Sequence, residues 1–156
     1  MSVKSSLSGI KLLVIYRSRQ ATVRYRMLIA CEASVIAVID DEELVRKSLQ
    51  RLLKVAGYPV VAFASAEEFL KSSRLEEFRC VIADIRMPGM SGLDLQSRLN
   101  AEEYQIPIIF ITAHGDEKMR VRAMRDGAVA FLAKPFDNSV LLDRVRACLK
   151  GTQDDD

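Results

Sequence analysis

The stretch VIADIRMPGMSGLDL, residues 81–95, contains the feature that decides the fold. An apolar run leads into a single carboxylate, Asp84, and is followed closely by Met87, Pro88 and Gly89. Short apolar runs without polar alternation are typical of strands that are covered on both faces. A charge beside a core is costly unless a nearby group needs it. The stretch therefore predicts a buried strand that ends on a functional carboxylate, whose partner must come from the remainder of the chain.

Short apolar runs alternate with amphipathic segments from residue 34 onward. Strands are predicted at residues 35–39, 58–63, 80–83, 107–111 and 129–132. Helices are predicted at residues 45–56, 65–71, 91–100 and 116–126, with a last helix from residue 138. Strands that alternate with helices form parallel sheets with a helix in each connection. The sequence thus predicts an α/β fold: one five-stranded parallel sheet with helices on both faces, doubly wound and flavodoxin-like.

Composition excludes several classes of protein. The chain has 156 residues, of which 49% are hydrophobic and 28% charged, as expected for a soluble domain with its own core. No apolar run is long enough to span a bilayer. Cys31, Cys80 and Cys148 are widely spaced and odd in number, which favours reduced thiols in a cytoplasmic protein. His114 is the only histidine, so a histidine-based metal cluster is excluded.

Charge is distributed unevenly along the chain. Residues 1–33 contain six basic residues and one acidic residue, whereas the remainder contains 17 basic and 20 acidic residues. We therefore expect a basic and flexible N-terminal extension over residues 1–33, a folded domain over 34–150 and an acidic tail over 151–156. The overall pI near 8.5 is consequently no evidence that the folded part binds nucleic acid.

Polar side chains follow the predicted strands at the points where the strands end. Asp40 and Asp41 follow the first strand, Asp84 the third, Thr112 the fourth and Lys134 the fifth. In parallel sheets these ends lie at one edge, where ligands bind. Carboxylates that converge repel one another unless a cation is present, and Mg²⁺ suits oxygen ligands of this kind. A lysine and a threonine hydroxyl beside them could hold the oxygens of a phosphoryl group.

At this point a family resemblance is evident. The segments VIDDEELVRKSL, VIADIRMPGMSGLDL, PIIFITAHGD and FLAKPF occur in this order on the predicted strand ends. Together they resemble the receiver domain of response regulators in two-component signalling. The resemblance is greatest to the subgroup usually joined to a helix-turn-helix output domain. No single segment is specific, but the ordered set is.

The resemblance implies a role for each residue of the acidic cluster. Asp84 would be the phosphoacceptor and a ligand of Mg²⁺. Asp41 would bind the metal directly and Asp40 through water, while the backbone carbonyl of Arg86 would complete the protein ligands. Pro88, Gly89 and Gly92 would shape the turn that aims this carbonyl.

The resemblance also implies a set of responding residues. Thr112 and Lys134 would each contact an oxygen of the phosphoryl group, and Phe131 would be the switch aromatic. The Lys134–Pro135 peptide bond would be cis, which is common only before proline. Apart from the resemblance, Arg86 and His114 could flank phosphorylated Asp84 and set how fast water reaches it, whereas the ordinary interpretation of His114 is an exposed loop residue.

The partners implied by the resemblance are proteins. A histidine kinase or a phosphotransfer protein would supply the phosphoryl group, and an output partner would respond. A homodimer would form through the helix at residues 116–126, the fifth strand and the last helix. The protein would not be an enzyme beyond its own phosphorylation and dephosphorylation, and the receiver would neither bind nucleic acid directly nor span a membrane.

Each of these residues also has an ordinary interpretation. Asp40 and Asp41 could cap a helix, Thr112 could simply end a strand, Lys134 could be a solvated surface residue and Phe131 could belong to the core. The same fold could serve as an interaction module that works without phosphorylation. An aspartyl phosphatase or a flavodoxin is disfavoured, because the loops are short and an acidic pair replaces a phosphate-binding loop.

Overall fold

The structure is a computed structural model that describes residues 3–7, 10–14 and 34–151. The chain divides before Ser34 into two compact units. In the first unit, strands β1 (Val3–Leu7) and β2 (Ile10–Val14) pair antiparallel, with Val3 opposite Val14. The sequence analysis predicted a flexible extension over residues 1–33 and did not anticipate this pair of strands. The rest of the predicted flexible extension, and residues 152–156 of the predicted tail, lie outside the described residues.

The second unit contains five strands and five helices among its described residues. Its strands are β3 (Val35–Ile39), β4 (Val60–Phe63), β5 (Phe78–Asp84), β6 (Ile108–Thr112) and β7 (Ala130–Ala133). Its helices are α1 (Glu43–Val55), α2 (Ala66–Leu70), α3 (Gly92–Ala101), α4 (Glu117–Arg125) and α5 (Asn138–Gly151), with a short 3₁₀ turn at Leu75–Glu77. Within the part of the chain that the structure describes, no helix is long and apolar enough to cross a membrane.

The five strands form one parallel sheet in the order β4-β3-β5-β6-β7. The chain moves from β3 to one side to form β4, and then crosses to the other side to form β5. The strand order therefore reverses between β3 and β5, the position at which sheets of this kind bind ligands. The predicted α/β fold with a five-stranded parallel sheet is confirmed.

Two apolar clusters cover the two faces of the sheet. On one face α2, α3 and α4 contribute buried residues such as Phe69, Leu95 and Ala123. On the other face α1 and α5 contribute buried residues such as Leu53 and Leu141. Because both faces are covered, β3 is apolar throughout, and all five of its residues are buried.

Side chains at the helix ends explain where the helices begin. The hydroxyl of Ser65 accepts a hydrogen bond from the backbone N–H of Glu68 and so caps α2, as the Ser-x-x-Glu pattern predicts. Ser91 and Asp94 form a reciprocal capping box at α3. The helix after Asp40 and Asp41 begins with Glu42 as its N-cap, without a capping side chain of its own.

Helices α3 and α4 are joined by two side-chain amides. Gln96 donates a hydrogen bond from Nε2 to the carbonyl of Ala123 at 3.0 Å. One turn later, Asn100 donates from Nδ2 to the carbonyl of Asp126 at 2.9 Å. Both acceptors lie at the C-terminal end of α4, where helical carbonyls lack partners within the helix. This end of α4 is therefore held to α3.

We predict that Leu53→Ala lowers the free energy of unfolding by about 2–5 kcal/mol, because Leu53 is fully buried under the sheet and its loss leaves a cavity. Chemical denaturation measures the effect. Leu44→Ala is the matched control, since Leu44 lies in the same helix and is 82% exposed. Equal losses in the two variants would contradict the placement of α1 against the sheet.

Candidate functional site

The sheet brings the predicted polar residues to one edge. Asp40 follows β3, Asp84 ends β5 and Thr112 ends β6, while Lys134 follows β7. The register aligns these ends, since Asp84 pairs with Ile111 and Thr112 with Ala133. Asp40, Asp84 and Thr112 are buried at this edge, whereas Asp41 is exposed. Two of the three carboxylates are thus shielded from bulk water.

Lys134 bridges the two buried carboxylates. Its Nζ lies 3.2 Å from Oδ2 of Asp40 and 3.3 Å from Oδ2 of Asp84. Burial alone would lower the pKa of the Lys134 ammonium, but the charges of Asp40 and Asp84 outweigh it and raise the pKa. Lys134 is therefore held charged between two strands that are separated from it by 94 and 50 residues of sequence.

Backbone amides occupy the other oxygens of the same carboxylates. The N–H of Glu42 donates to Oδ1 of Asp40 at 2.8 Å, and the N–H of Arg86 donates to Oδ1 of Asp84 at 3.0 Å. Burial raises the pKa of the Asp40 carboxyl, against the opposing effects of the Glu42 amide and Lys134. The neighbouring Asp84 charge raises it further. Ionised Asp40 is thus a cost to the fold that a cation can offset.

The donor set fits a hard divalent cation. Asp40, Asp41 and Asp84 each offer one carboxylate oxygen, and these three oxygens lie within 4.8 Å of one another. Three carboxylates face one ammonium, so negative charge remains in excess. Mg²⁺ prefers oxygen ligands and is usually held by a few carboxylates together with water. The three carboxylates therefore meet the requirements of a Mg²⁺ site.

Thr112 and Phe131 lie beside this cluster on the last two strands. Oγ1 of Thr112 accepts a hydrogen bond from the backbone N–H of His114 at 3.4 Å. Phe131 is opposite Phe110 in the register of β6 and β7, and its half-buried ring packs against the apolar cluster on the α3–α4 face. The Lys134–Pro135 peptide bond is cis.

Arg46 contacts the site but was missed by the sequence analysis. Its Nη1 donates to the backbone carbonyls of Asp40 at 2.7 Å and Asp41 at 2.9 Å. The guanidinium thus holds the backbone that carries both aspartates. The position of Arg46 in the sequence gave a weak indication. A cation in the first turns of a helix interacts unfavourably with the helix dipole, so a stabilising partner outside the helix is expected.

Glu67 and two glycines shape the turn after Asp84. Oε1 of Glu67, in α2, accepts a hydrogen bond from the backbone N–H of Met90 at 2.7 Å. Gly89 has a φ of +76° in this turn, a conformation that favours glycine. A Cβ on Gly92 would overlap the backbone carbonyl oxygen of Asp84, so α3 begins directly against the end of β5. The family resemblance implied both glycines, but nothing in the sequence pointed to Glu67.

A scan against protein-family models matches residues 36–146 to the response regulator receiver domain. The chain belongs to this family. It is a receiver domain of the two-component response regulators, as the sequence motifs predicted, and the helix-turn-helix subgroup fits the relatives found.

Several curated relatives cover the same region. Nodulation protein W of Bradyrhizobium diazoefficiens is 48% identical over 118 residues, which are 76% of this chain and 52% of that protein. Response regulator protein TodT of Pseudomonas putida is 47% identical over the same shares of each chain. The chain therefore spans about half the length of the curated relatives it matches.

Solved structures agree with the fold. The response regulator StyR is 48% identical with a TM-score of 0.70, over 74% of this chain and 59% of that chain. The structure titled FixJ-N is 39% identical with a TM-score of 0.69, over 76% of this chain and 95% of that chain. The receiver thus accounts for nearly the whole of the latter.

We predict that Asp40→Asn raises the melting temperature of the metal-free protein near neutral pH. Because the pKa of Asp40 is raised in the folded state, the ionised carboxylate destabilises the fold. The increase in melting temperature on replacing Asp40 by asparagine is therefore greatest at pH values above that pKa. The gain should shrink as the pH falls, and vanish below the unfolded pKa of about 3.9. Thermal melts across pH, in the presence of a chelator, measure it. Asp143→Asn, at an exposed position in α5, is the control, and a pH-independent difference would contradict the prediction.

We predict that Arg46→Met lowers the free energy of unfolding by about 1–3 kcal/mol, because two carbonyls lose a charged hydrogen-bond donor while the apolar stem is retained. Denaturant titration checks this value. Arg51→Met, at an exposed position of the same helix, should change stability little. A loss of the same size in both variants would show that the carbonyl contacts contribute nothing.

Proposed function

We propose that this receiver domain accepts a phosphoryl group on Asp84 from a histidine kinase or a phosphotransfer protein, and that the change alters its affinity for partners. The observation that carries the proposal is the bridge from the Lys134 ammonium to the carboxylates of Asp40 and Asp84. Phosphoryl transfer needs a positive charge to contact the phosphoryl oxygens and negative charges to hold a divalent cation. Lys134 provides the first, and Asp40, Asp41 and Asp84 provide the second, all at one edge of the sheet.

In the proposed reaction a carboxylate oxygen of Asp84 attacks the phosphorus of the donor. The phosphorus–nitrogen bond of a phosphohistidine breaks, the histidine nitrogen keeps the electron pair, and an acyl phosphate forms on Asp84. Mg²⁺, held by Asp40, Asp41 and Asp84 with the carbonyl of Arg86, would supply positive charge to the phosphoryl oxygens. Asp84 gives up its contact with Lys134 on modification, and the lysine then pairs with a phosphoryl oxygen.

Thr112 and Phe131 form the responding part of the proposal. The Thr112 hydroxyl leaves the N–H of His114 and donates to a phosphoryl oxygen, and Phe131 repacks with it. We place the signalling surface on α4, β7 and α5, and we propose that the same surface forms a homodimer. Exposed apolar side chains on this surface support that assignment: Val121 and Met124 are 53% and 40% exposed in α4, and Val140 is 40% exposed in α5.

The proposal extends to the setting of the domain. Residues 34–150 act as the receiver and residues 1–33 as an extension to it, with the output partner carried by another protein or another part of a longer chain. The receiver catalyses only its own phosphorylation and dephosphorylation, with Arg86 and His114 flanking the modified aspartate, and it does not bind nucleic acid directly. Cys80 and Cys148 are buried free thiols, which fits a reducing cytoplasm.

We predict that acetyl phosphate adds one phosphoryl group to the wild-type protein in the presence of Mg²⁺, and none when Mg²⁺ is chelated. Asp84→Asn should abolish the gain, because the nucleophilic carboxylate is lost. Intact-mass spectrometry measures both. Asp143→Asn is the matched control and should be modified like the wild type.

Two outcomes would contradict the proposal. Modification of Asp84→Asn to the wild-type level would move the acceptor to another residue. The absence of modification in folded wild-type protein, with Mg²⁺ present, would favour an interaction module that works without phosphorylation.

A further inference from the structure

Gly115, in the loop between β6 and α4, differs from the glycines that end helices. Gly57 and Gly127 have φ values of +92° and +100°, and a Cβ on either would meet nothing within 4 Å. These two positions need glycine for its backbone conformation. Gly115 is not among the residues with positive φ, so other residues could adopt its backbone conformation. What Gly115 lacks is room for a side chain.

The space beside Gly115 is occupied by two side chains of the proposed switch. A Cβ there would lie 2.5 Å from Cζ and 2.9 Å from Cε1 of Phe131, and 2.6 Å from Cγ2 of Thr112. Carbon atoms in contact are about 3.5–4.0 Å apart, so even the smallest side chain would displace one of them. The ring of Phe131 and the methyl group of Thr112 therefore share the space that the missing Cβ leaves free.

The atoms that a Cβ would meet are the ends of side chains rather than backbone. Gly92 offers the contrast, because a Cβ there would meet the backbone of Asp84 and Ile85. Phe131 is partly exposed to solvent. Alanine at position 115 therefore requires a side chain, that of Phe131 or Thr112, to move, whereas alanine at position 92 would require the backbone to move.

We propose that Gly115 is a positioning residue that couples Thr112 to Phe131 by leaving one shared space for both side chains. The Phe131 ring and the Thr112 methyl group both border the space beside Gly115, so a movement of one changes the room that is open to the other. A methyl group at position 115 takes this space permanently and uncouples them. The inference rests on the proposed switch role of Thr112 and Phe131, and gives the reason why their movements are linked.

The test follows the Phe131 ring directly. Phenylalanine labelled with ¹³C in the ring is incorporated, the Phe131 signal is assigned by its absence in Phe131→Leu, and NMR spectra are recorded with and without acetyl phosphate and Mg²⁺. In the unmodified protein, Gly115→Ala should shift the signal by more than Gly151→Ala does, since a Cβ at Gly151 meets nothing within 4 Å. The further shift on phosphorylation should be at least halved in Gly115→Ala relative to the wild type.

Mass spectrometry of the same samples separates the possible failures. Absence of phosphorylation in the wild type would overturn the proposed function, whereas the spectra of the unmodified proteins would still test the shared space. Normal phosphorylation of Gly115→Ala with an unchanged signal and a full response would overturn the coupling and leave the function of Asp84 intact.

A double variant keeps the proposal testable if Gly115→Ala folds poorly. Gly115→Ala should lower the melting temperature less in a Phe131→Ala background than in the wild type, because the ring that the methyl group displaces is gone. An equal drop in both backgrounds would show that the cost of the methyl group does not come from Phe131, and would overturn the inference.

Discussion

Lys134 bridges two buried carboxylates at the edge of the sheet, and the arrangement of that edge depends on it. Without its ammonium, Asp40 and Asp84 would oppose each other across β3 and β5 with only backbone amides to stabilise their charge. Lys134 can reach both because β7 ends at the same edge, two strands away from β5. The ion pairs thus tie the end of β7 to the ends of β3 and β5, and they hold the Asp84 carboxylate in place.

The burial of this edge follows from the layers around it. Helices on both faces exclude water from the strands, so the polar groups at the strand ends are among the few buried polar residues of the described part of the chain: Asp40, Asp84, Gln96 and Thr112. Three of these four lie at the site. The fold therefore concentrates most of the buried polar side chains of residues 34–151 at one place, where a divalent cation or a phosphoryl group could bind.

Much of the arrangement was predictable from sequence, because it depends on periodicity and strand ends. The alternation of apolar runs and helical faces predicted the sheet, and the polar residues after the strands predicted which side chains meet. Contacts that depend on side-chain reach were not predictable. The Arg46 guanidinium donates to the backbone carbonyl of Asp40, six residues earlier in the chain. The Glu67 carboxylate accepts a hydrogen bond from the backbone N–H of Met90, 23 residues later. The shared space at Gly115 is likewise visible only in three dimensions, since a glycine between a histidine and an aspartate looks like any loop residue.

The two amides that join α3 to α4 hold the C-terminal end of α4 in place. Gln96 and Asn100 hold the carbonyls of Ala123 and Asp126, while the opposite end begins at the loop that contains Gly115. Helix α4 has nine residues, a lever of roughly 13 Å at 1.5 Å per residue. A push at the loop would therefore tilt α4 about its C-terminal end rather than slide it. Displacement would grow towards the N-terminal turn, so that Glu117 and Lys118 would travel farthest and the residues beside Asp126 would act as the pivot.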